Sequence, residues 1–424
     1  MARRKPGRQG ANFEAAQSTR RYMMDGVRHV CGQYKNRLPG SQSERDAQAF
    51  FKRELEGYAD EVVMEDFELH PHAFMGFIPL AAALMLLSVP LFLFSRGSVA
   101  LAVLGAALPL LATLMFLFEF LFYRDFVDFL FPKRVSRNVY AARKPAGEVR
   151  RRIIFGGHTD AANEWRYSWL GEKTAVGLAI FGSVAAMLIS LAANVVNAVY
   201  TVAANEAAAS KWEGGWLVWS ILLLVCVVPA VAISLFINYK IVVDGANDNL
   251  SANYVAMSVL KEMRESGLRF EHTEVACLLT GSEEAGLRGA KAFAKAHKAE
   301  LSDPAVETVF IAMDTLREVE ELRVCGFGCT GTVRNDKAVG RLIHDAGLAC
   351  GVDIPDSELY PGAIDAEAFS MFGLRASGFT AVSHDAKRYY HTRQDTCDNM
   401  DEDCLVLSLN ICKAAARLFD ERGV

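Results

Sequence analysis

Four long apolar runs interrupt an otherwise polar chain, at residues 73–95, 99–123, 174–203 and 216–238. Each supplies the ~20 apolar residues that cross a hydrocarbon core, and charge is nearly absent within them. They come in pairs, joined by a short link at Arg96 and Gly97 and by a small polar loop containing Glu206, Lys211 and Glu213. Each pair therefore predicts a transmembrane hairpin. Core helices of a water-soluble protein are the competing reading, and the scarcity of charge disfavours it. Glu119, near the end of the second run, is placed to reach the membrane interface. Trp212, Trp216 and Trp219 gather at one end of the fourth run, where interfacial aromatics sit.

The polar remainder has the rhythm of an α/β protein. Residues 41–55, 251–266, 287–298, 336–349 and 405–419 repeat with helical period, while 61–69 alternates as a half-buried strand. Short β-type runs follow at 138–142 and 153–157, and compact apolar strands at 275–280 and 309–313. Strands alternating with helices predict a mixed, mostly parallel sheet between two helical layers, a three-layer αβα sandwich. Residues 1–72, 124–173 and 239–424 would form this domain. The inserts, at 73–123 and 174–238, would be the two hairpins, with four transmembrane helices.

Composition sharpens the picture in three respects. Hydrophobic residues make up 52% of the 424 positions against 22% charged, and the formal net charge is −5. No basic stripe marks a nucleic-acid surface, so no such partner is expected. The nine cysteines are odd in number and scattered, which suits free thiols in a reducing compartment. The N-terminal stretch is basic and polar with no apolar run behind it, so no cleavable signal peptide is expected and internal segments would carry insertion. Two hairpins return the chain to one side. That side carries Arg3, Arg4, Lys5, Arg124, Lys133, Arg134, Arg143, Lys144, Arg150, Arg151, Arg152 and Lys240, against Arg96 and Lys211 opposite. The positive-inside rule then expects the polar domain in the cytoplasm.

Candidate chemistry collects where apolar strands end, the place open α/β sheets put their sites. His158 and Asp160 end one strand, and Asp248 lies in the turn Gly245-Ala246-Asn247-Asp248-Asn249 before a helix. Glu283 and Glu284 follow another strand, Asp314 closes a third, and His391 is followed by Asp395. Taken singly, such residues are usually helix caps, packed imidazoles or solvated acids. Together they offer nitrogen and oxygen donors plus a spare carboxylate, a set suited to a pair of zinc ions with room for water.

The ordered motifs Gly157-His158-Thr159-Asp160, Gly245 to Ser251, Gly281-Ser282-Glu283-Glu284-Ala285-Gly286-Leu287, Met313-Asp314 and Tyr390-His391-Thr392 resemble those of metallopeptidase family 28. This is the group of co-catalytic zinc aminopeptidases, which also includes glutamate carboxypeptidase-like and glutaminyl-cyclase-like proteins. Arg37-Leu38-Pro39-Gly40-Ser41 looks like the family's N-terminal signature, and Ile364 to Phe369 stands at its late substrate-side loop. The resemblance implies two Zn2+ ions per chain: His158 and Asp314 on one, Glu284 and His391 on the other, with Asp248 bridging. It implies Glu283 as general base, Asp160 as the residue orienting His158, and a cis peptide after Asp248; Asp365 and Asp395 are supporting candidates. Paired ions clamp a bridging hydroxide and polarise the scissile carbonyl. The chain departs from the family at Asn247, where many relatives carry a second acid, and at Ala252, where glycine is usual.

Gly326-x-Gly328-x-x-Gly331 echoes a dinucleotide fingerprint, a weak signal alone; a glycine-rich loop beside the pocket is the expectation. Because the second hairpin leaves the chain between His158 and Asp248, a cleft facing the bilayer is one expectation, and plain anchoring the other. The activity implied is removal of N-terminal residues from peptides. Cyclisation or hydrolysis of a lipid-linked amide at the same site, and a non-catalytic membrane scaffold, are the alternatives. Membrane lipid, and further copies of the chain in a homo-oligomer, complete the expected partners.

Overall fold

The structure, a computed structural model, describes residue 8 and residues 10–95, 97–204, 210–358, 362–382 and 389–424. Arg3, Arg4, Lys5 and Arg96, used in the charge argument, and Glu206 of the polar loop lie outside the described residues. The elements run α1 (Gln17–Gln33), α2 (Gln42–Leu55), β1 (Glu61–Leu69), α3 (Ala73–Phe94), α4 (Val99–Met115), β2 (Arg134–Arg143), β3 (Arg151–His158) and β4 (Asn163–Trp165). Then come α5 (Arg166–Ala204), α6 (Gly214–Ser234), β5 (Ile237–Val242), α7 (Ser251–Ser266), β6 (Thr273–Thr280), α8 (Arg288–Ala296), α9 (Lys298–Leu301) and β7 (Glu307–Leu316). The chain closes with β8 (Arg323–Gly328), β9 (Val333–Arg334), α10 (Lys337–Ala349), β10 (Asp356–Glu358), α11 (Asp365–Met371), β11 (Ala376–Ala381) and α12 (Glu402–Arg422). Two compact units result: residues 1–71, 132–163 and 240–424 form one, and 72–131 with 164–239 the other.

In the first unit a nine-stranded sheet runs in the order β1-β2-β6-β3-β7-β11-β8-β10, with β9 paired to β8. Its centre, β6-β3-β7-β11, is parallel, and the outer β1-β2-β6 and β11-β8 pairs are antiparallel. The central strands are buried along nearly their whole length, which is why they read as continuous apolar runs. Ile153 and Phe155 join Val275, Cys277, Val309 and Ile311 in a core with α1, α2, α7, α10 and α12. On the opposite face Phe310 meets Phe369 of α11 at 4.3 Å between ring centroids, and Tyr140 stacks on Phe293 of α8. This is the three-layer sandwich around a mixed sheet that the periodicity implied.

Register sets the site. His158 ends β3 opposite Thr280 of β6, and Thr380 of β11 stands opposite Asp314 of β7. The carboxyl ends of three adjacent parallel strands thus deliver His158, the turn after Thr280, and Asp314 to one rim. The Gly326–Gly331 pattern does not form a strand-to-helix phosphate loop. Gly326 and Gly328 lie in β8, and Cys329, Thr330 and Gly331 turn through positive φ into β9.

Among the described residues, the second unit holds four helices long and apolar enough to cross a membrane: Ala73–Phe94, Val99–Leu121, Lys173–Ala203 and Gly214–Ser234. Leu87, Phe94, Val103, Leu178, Phe181, Leu188, Val199, Val225 and Val228 stand exposed on them, an apolar surface that water would not favour. Polar groups turn inward instead. Asn194 Nδ2 lies 3.4 Å from Ser88 Oγ, and Asn197 Nδ2 lies 3.3 Å from Ser95 Oγ. Two expectations change here. Glu119 does not reach outward: it is 1% exposed and accepts from the Val127 amide at 2.6 Å, because a π-helical turn at Phe116–Leu121 aims it inward. Lys211 is likewise buried, its ammonium bonded to Asn197 and held 3.7 Å from the Trp216 ring centre, so it is not a solvated loop charge.

Candidate metal centre

Each candidate side chain is placed by a local turn. Gly157 precedes His158 with no Cβ because Ala252, Asn249 and the Met313 carbonyl occupy that space, 2.9–3.0 Å from where a Cβ would lie. The unusual Ala252 is thereby accommodated. Gly245 opens the next turn at φ +62, a left-handed conformation glycine adopts without penalty, and a cis peptide joins Asp248 to Asn249. Asn253 of α7 donates to the His158 carbonyl at 2.7 Å, while Asn249 donates to the Met313 carbonyl at 2.9 Å and accepts from Thr315 N at 3.2 Å. Two asparagines therefore tie the Asp248 turn to the ends of β3 and β7.

The Asp248 carboxylate lies between the two imidazoles. Its Oδ1 is 3.0 Å from His158 Nε2 and its Oδ2 is 3.2 Å from His391 Nε2. Asp314 Oδ2 lies 3.7 Å from His158 Nε2, and Glu284 Oε1 lies 3.6 Å from His391 Nε2. Donor atoms of His158, Asp248 and Glu284 all fall within 4.8 Å of one another. Glu283 points at the same space, Oε2 3.9 Å from His158 Nε2. The fold thus gathers His158, Asp248, Glu283, Glu284, Asp314 and His391 around one small volume.

Asp160 stands behind them. Its Oδ1 lies 3.3 Å from His158 Nδ1 and accepts from the Glu283 amide at 3.0 Å, and its Oδ2 accepts from the Glu284 amide at 3.0 Å. Asp395 holds the next turn, accepting from the Asn247 amide and side chain at 2.8 Å each and from Asp248 N at 3.2 Å. An acid at 247 would set a carboxylate against Asp395, so the asparagine there fits its local partner. Asp365 sits farther back, accepting from the Thr280 hydroxyl.

Electrostatics shows what the cluster lacks. Burial first, then neighbouring acids, hold Glu283 and Asp314 well above the usual carboxylate range, and burial pushes Glu284 up to about 7. Burial works against the charged imidazoles, but hydrogen bonds to Asp160 and Asp248 still raise His158, and Glu284 with Asp248 takes His391 to about 9. Burial also opposes the Asp248 anion, yet its two histidine partners lower its pKa. The desolvated carboxyls outnumber the two imidazoles, so the cluster is short of positive charge. Its nitrogen and oxygen donors are those that zinc and related divalent ions take, so the residues fit a metal.

Sequence reasoning passed over the residues behind this rim. Arg37 entered only as part of a signature and Asn249 only as part of the Asp248 turn, and Glu44, Gln48 and Asn253 not at all. Ser41-x-x-Glu44 was the available signal, a capping-box spacing; Ser41 does cap α2, accepting from the Glu44 amide, while the Glu44 carboxylate reaches Gly40 N at 2.7 Å.

Residues 231–415 match the family model for peptidase family M28. Among solved structures, an aminopeptidase from Aneurinibacillus sp. strain AM-1 is similar at 13% identity and TM-score 0.54, covering 94% of this chain and 93% of its own. A glutaminyl cyclase from Fimbriiglobus ruber has 13% identity and TM-score 0.53, covering 96% and 98%. A Zn-dependent exopeptidase from Parabacteroides distasonis has 10% identity and TM-score 0.52, covering 95% and 98%. No curated protein sequence matches. The matched segment supplies Asp248, Glu283, Glu284, Asp314 and His391, β3 brings His158 to them, and over residues 231–415 the chain is similar to peptidase family M28 while its fold is that of the three solved structures.

Proposed function

We propose that this protein is a membrane-embedded aminopeptidase that works with two zinc ions and removes N-terminal residues from peptides. The observation that carries the reading is the Asp248 carboxylate held between His158 and His391, 3.0 and 3.2 Å from their Nε2 atoms, with Glu283 facing the same volume. His158 and Asp314 would hold one ion, Glu284 and His391 the other, and Asp248 both. Bound zinc supplies a Lewis acid that polarises a carbonyl and lowers the pKa of water. Glu283 neighbours a ligand in sequence without being one. Its carboxylate takes the proton of the attacking water as the carbon–oxygen bond forms, and passes it to the amine as the carbon–nitrogen bond breaks. Asp160 fixes the His158 tautomer, leaving Nε2 to face the cluster. The four apolar helices would anchor the chain in a bilayer, with the peptidase unit on the cytoplasmic side by the excess of basic residues there.

The test is a panel of free and N-blocked peptides, comparing detergent-purified protein with Glu283→Gln. Cleavage of free N-termini only, lost in the variant, is expected. A metal-loaded protein that turns over no peptide would overturn the aminopeptidase reading. A second reading has its own support, since a glutaminyl cyclase is among the similar structures. In that case N-terminal glutaminyl peptides would be cyclised, or a lipid-linked amide hydrolysed, and the panel includes both.

A further inference from the structure

The segment from Arg37 to Gln48 lies outside the matched 231–415 stretch, yet it reaches three of the turns that carry the site's side chains. Arg37 is 1% exposed and its guanidinium is spent on backbone carbonyls. Nε donates to Thr159 O at 3.1 Å, Nη2 to Asp244 O at 2.7 Å and Nη1 to Tyr34 O at 3.2 Å. Thr159 separates His158 from Asp160, and Asp244 opens the turn that ends in Asp248. One planar cation thus bridges two ligand-bearing turns, a geometry its fork of donors suits.

Glu44 and Gln48 project one helical turn apart from the same face of α2, and both are fully buried. Glu44 Oε1 accepts from the Ser282 amide at 2.7 Å and its hydroxyl at 2.9 Å, while Oε2 accepts from Gly40 N at 2.7 Å. Ser282 has φ +57, a conformation uncommon for a residue with a side chain, and it directly precedes Glu283. Gln48 donates to the Thr159 hydroxyl at 2.9 Å, which in turn donates to the Thr280 carbonyl at 2.9 Å. A buried carboxylate accepting three donors is costly unless each bond is made, and here two are made to Ser282 of the site and the third to Gly40 of its own loop.

We propose that Arg37, Glu44 and Gln48 are positioning residues of the metal centre, holding from behind the His158–Asp160, Asp244–Asp248 and Ser282–Glu284 turns in mutual register. They touch no ligand side chain; they fix the backbone from which the ligands and the base project. The inference rests on the metal-site reading above but not on which reaction the site performs.

The test uses the full chain in detergent, loaded with cobalt(II) or zinc, and compares Glu44→Gln, Arg37→Lys and Gln48→Met with the parent. Glutamine at 44 turns an N–H group toward either Gly40 N–H or Ser282 N–H, and methionine at 48 keeps the volume but loses the donor. Zinc affinity by chelator competition is expected to fall ~10–100-fold in Glu44→Gln, the range seen when the supporting shell of a metal site is broken. The visible cobalt(II) bands should shift, because the ligands no longer converge as before. If peptides are substrates, kcat should fall with KM within about twofold. A folded Glu44→Gln with unchanged cobalt spectrum and zinc affinity would overturn the proposal, and Gln48→Met decides by the same readouts if Glu44→Gln does not fold. Should the parent cleave no peptide, the aminopeptidase reading fails while the cobalt and zinc readouts still judge the positioning role.

Discussion

Replacing Asp160 by asparagine removes a charge without changing shape, and the structure says what it should cost. The carboxylate is fully buried; Oδ1 meets the Glu283 amide at 3.0 Å and His158 Nδ1 at 3.3 Å, and Oδ2 meets the Glu284 amide at 3.0 Å. Asparagine keeps one acceptor. Its better orientation puts the carbonyl at the Oδ1 position and turns its NH2 against the Glu284 amide. One hydrogen bond to a charged acceptor is then lost, about 1.5–3 kcal/mol. At 1.4 kcal/mol per tenfold that is a loss of about 10–150-fold, and it falls on Glu284, a proposed ligand. The measurement is zinc affinity by competition with a chromogenic chelator, alongside thermal melting followed by circular dichroism. A folded variant with affinity lowered by one to two orders of magnitude is expected. If the folded variant binds zinc within twofold of the parent, Asp160 does not support the site.

Four further outcomes are expected. Glu283→Gln should retain its zinc while hydrolysis falls by ~10²–10⁴-fold, the usual worth of a general base; parallel loss of zinc would make Glu283 a ligand instead. In the metal-free protein the His391 imidazole is raised from 6.5 to about 9, so at neutral pH it is charged and must lose its proton to bind metal. Apparent zinc affinity should therefore climb as pH rises toward about 9, with protons released in calorimetry across buffers of different ionisation enthalpy; a flat profile would contradict this. Gly245→Ala should lower the melting temperature, since φ is +62 and the new Cβ would lie 2.7 Å from Asp248 O; left-handed backbone alone costs ~1–2 kcal/mol, and an unchanged melting curve would refute that reading of the turn. Finally, the chain should pellet with membranes after carbonate washing and be released by detergent. Recovery in the wash would count against transmembrane insertion.

Much of the sheet-bearing unit was legible because its strands and helices follow simple periods. Buried parallel strands such as β6 and β7 read as unbroken apolar runs, and the donors stand just past their ends. What the sequence concealed is the contribution of distant chain. Arg37 and Glu44 look like surface charges in a polar N-terminal stretch, and only the fold shows them buried against turns more than a hundred residues away. Glu119 and Lys211 misled for the opposite reason. A charge beside an apolar run suggests an interface, but a π-helical turn and an aromatic pair draw these two inward. The β8–β9 turn carried a glycine spacing suited to a phosphate loop, while its pairing, Phe327 with Arg334 and Gly328 with Val333, makes it a hairpin.

Zinc titration of the metal-free protein, following cleavage of a peptide with a free N-terminus, decides whether two ions work together at this site. Activity should rise until two equivalents are bound and then level. Full activity at one equivalent, or no zinc bound at a site that remains folded, would contradict it.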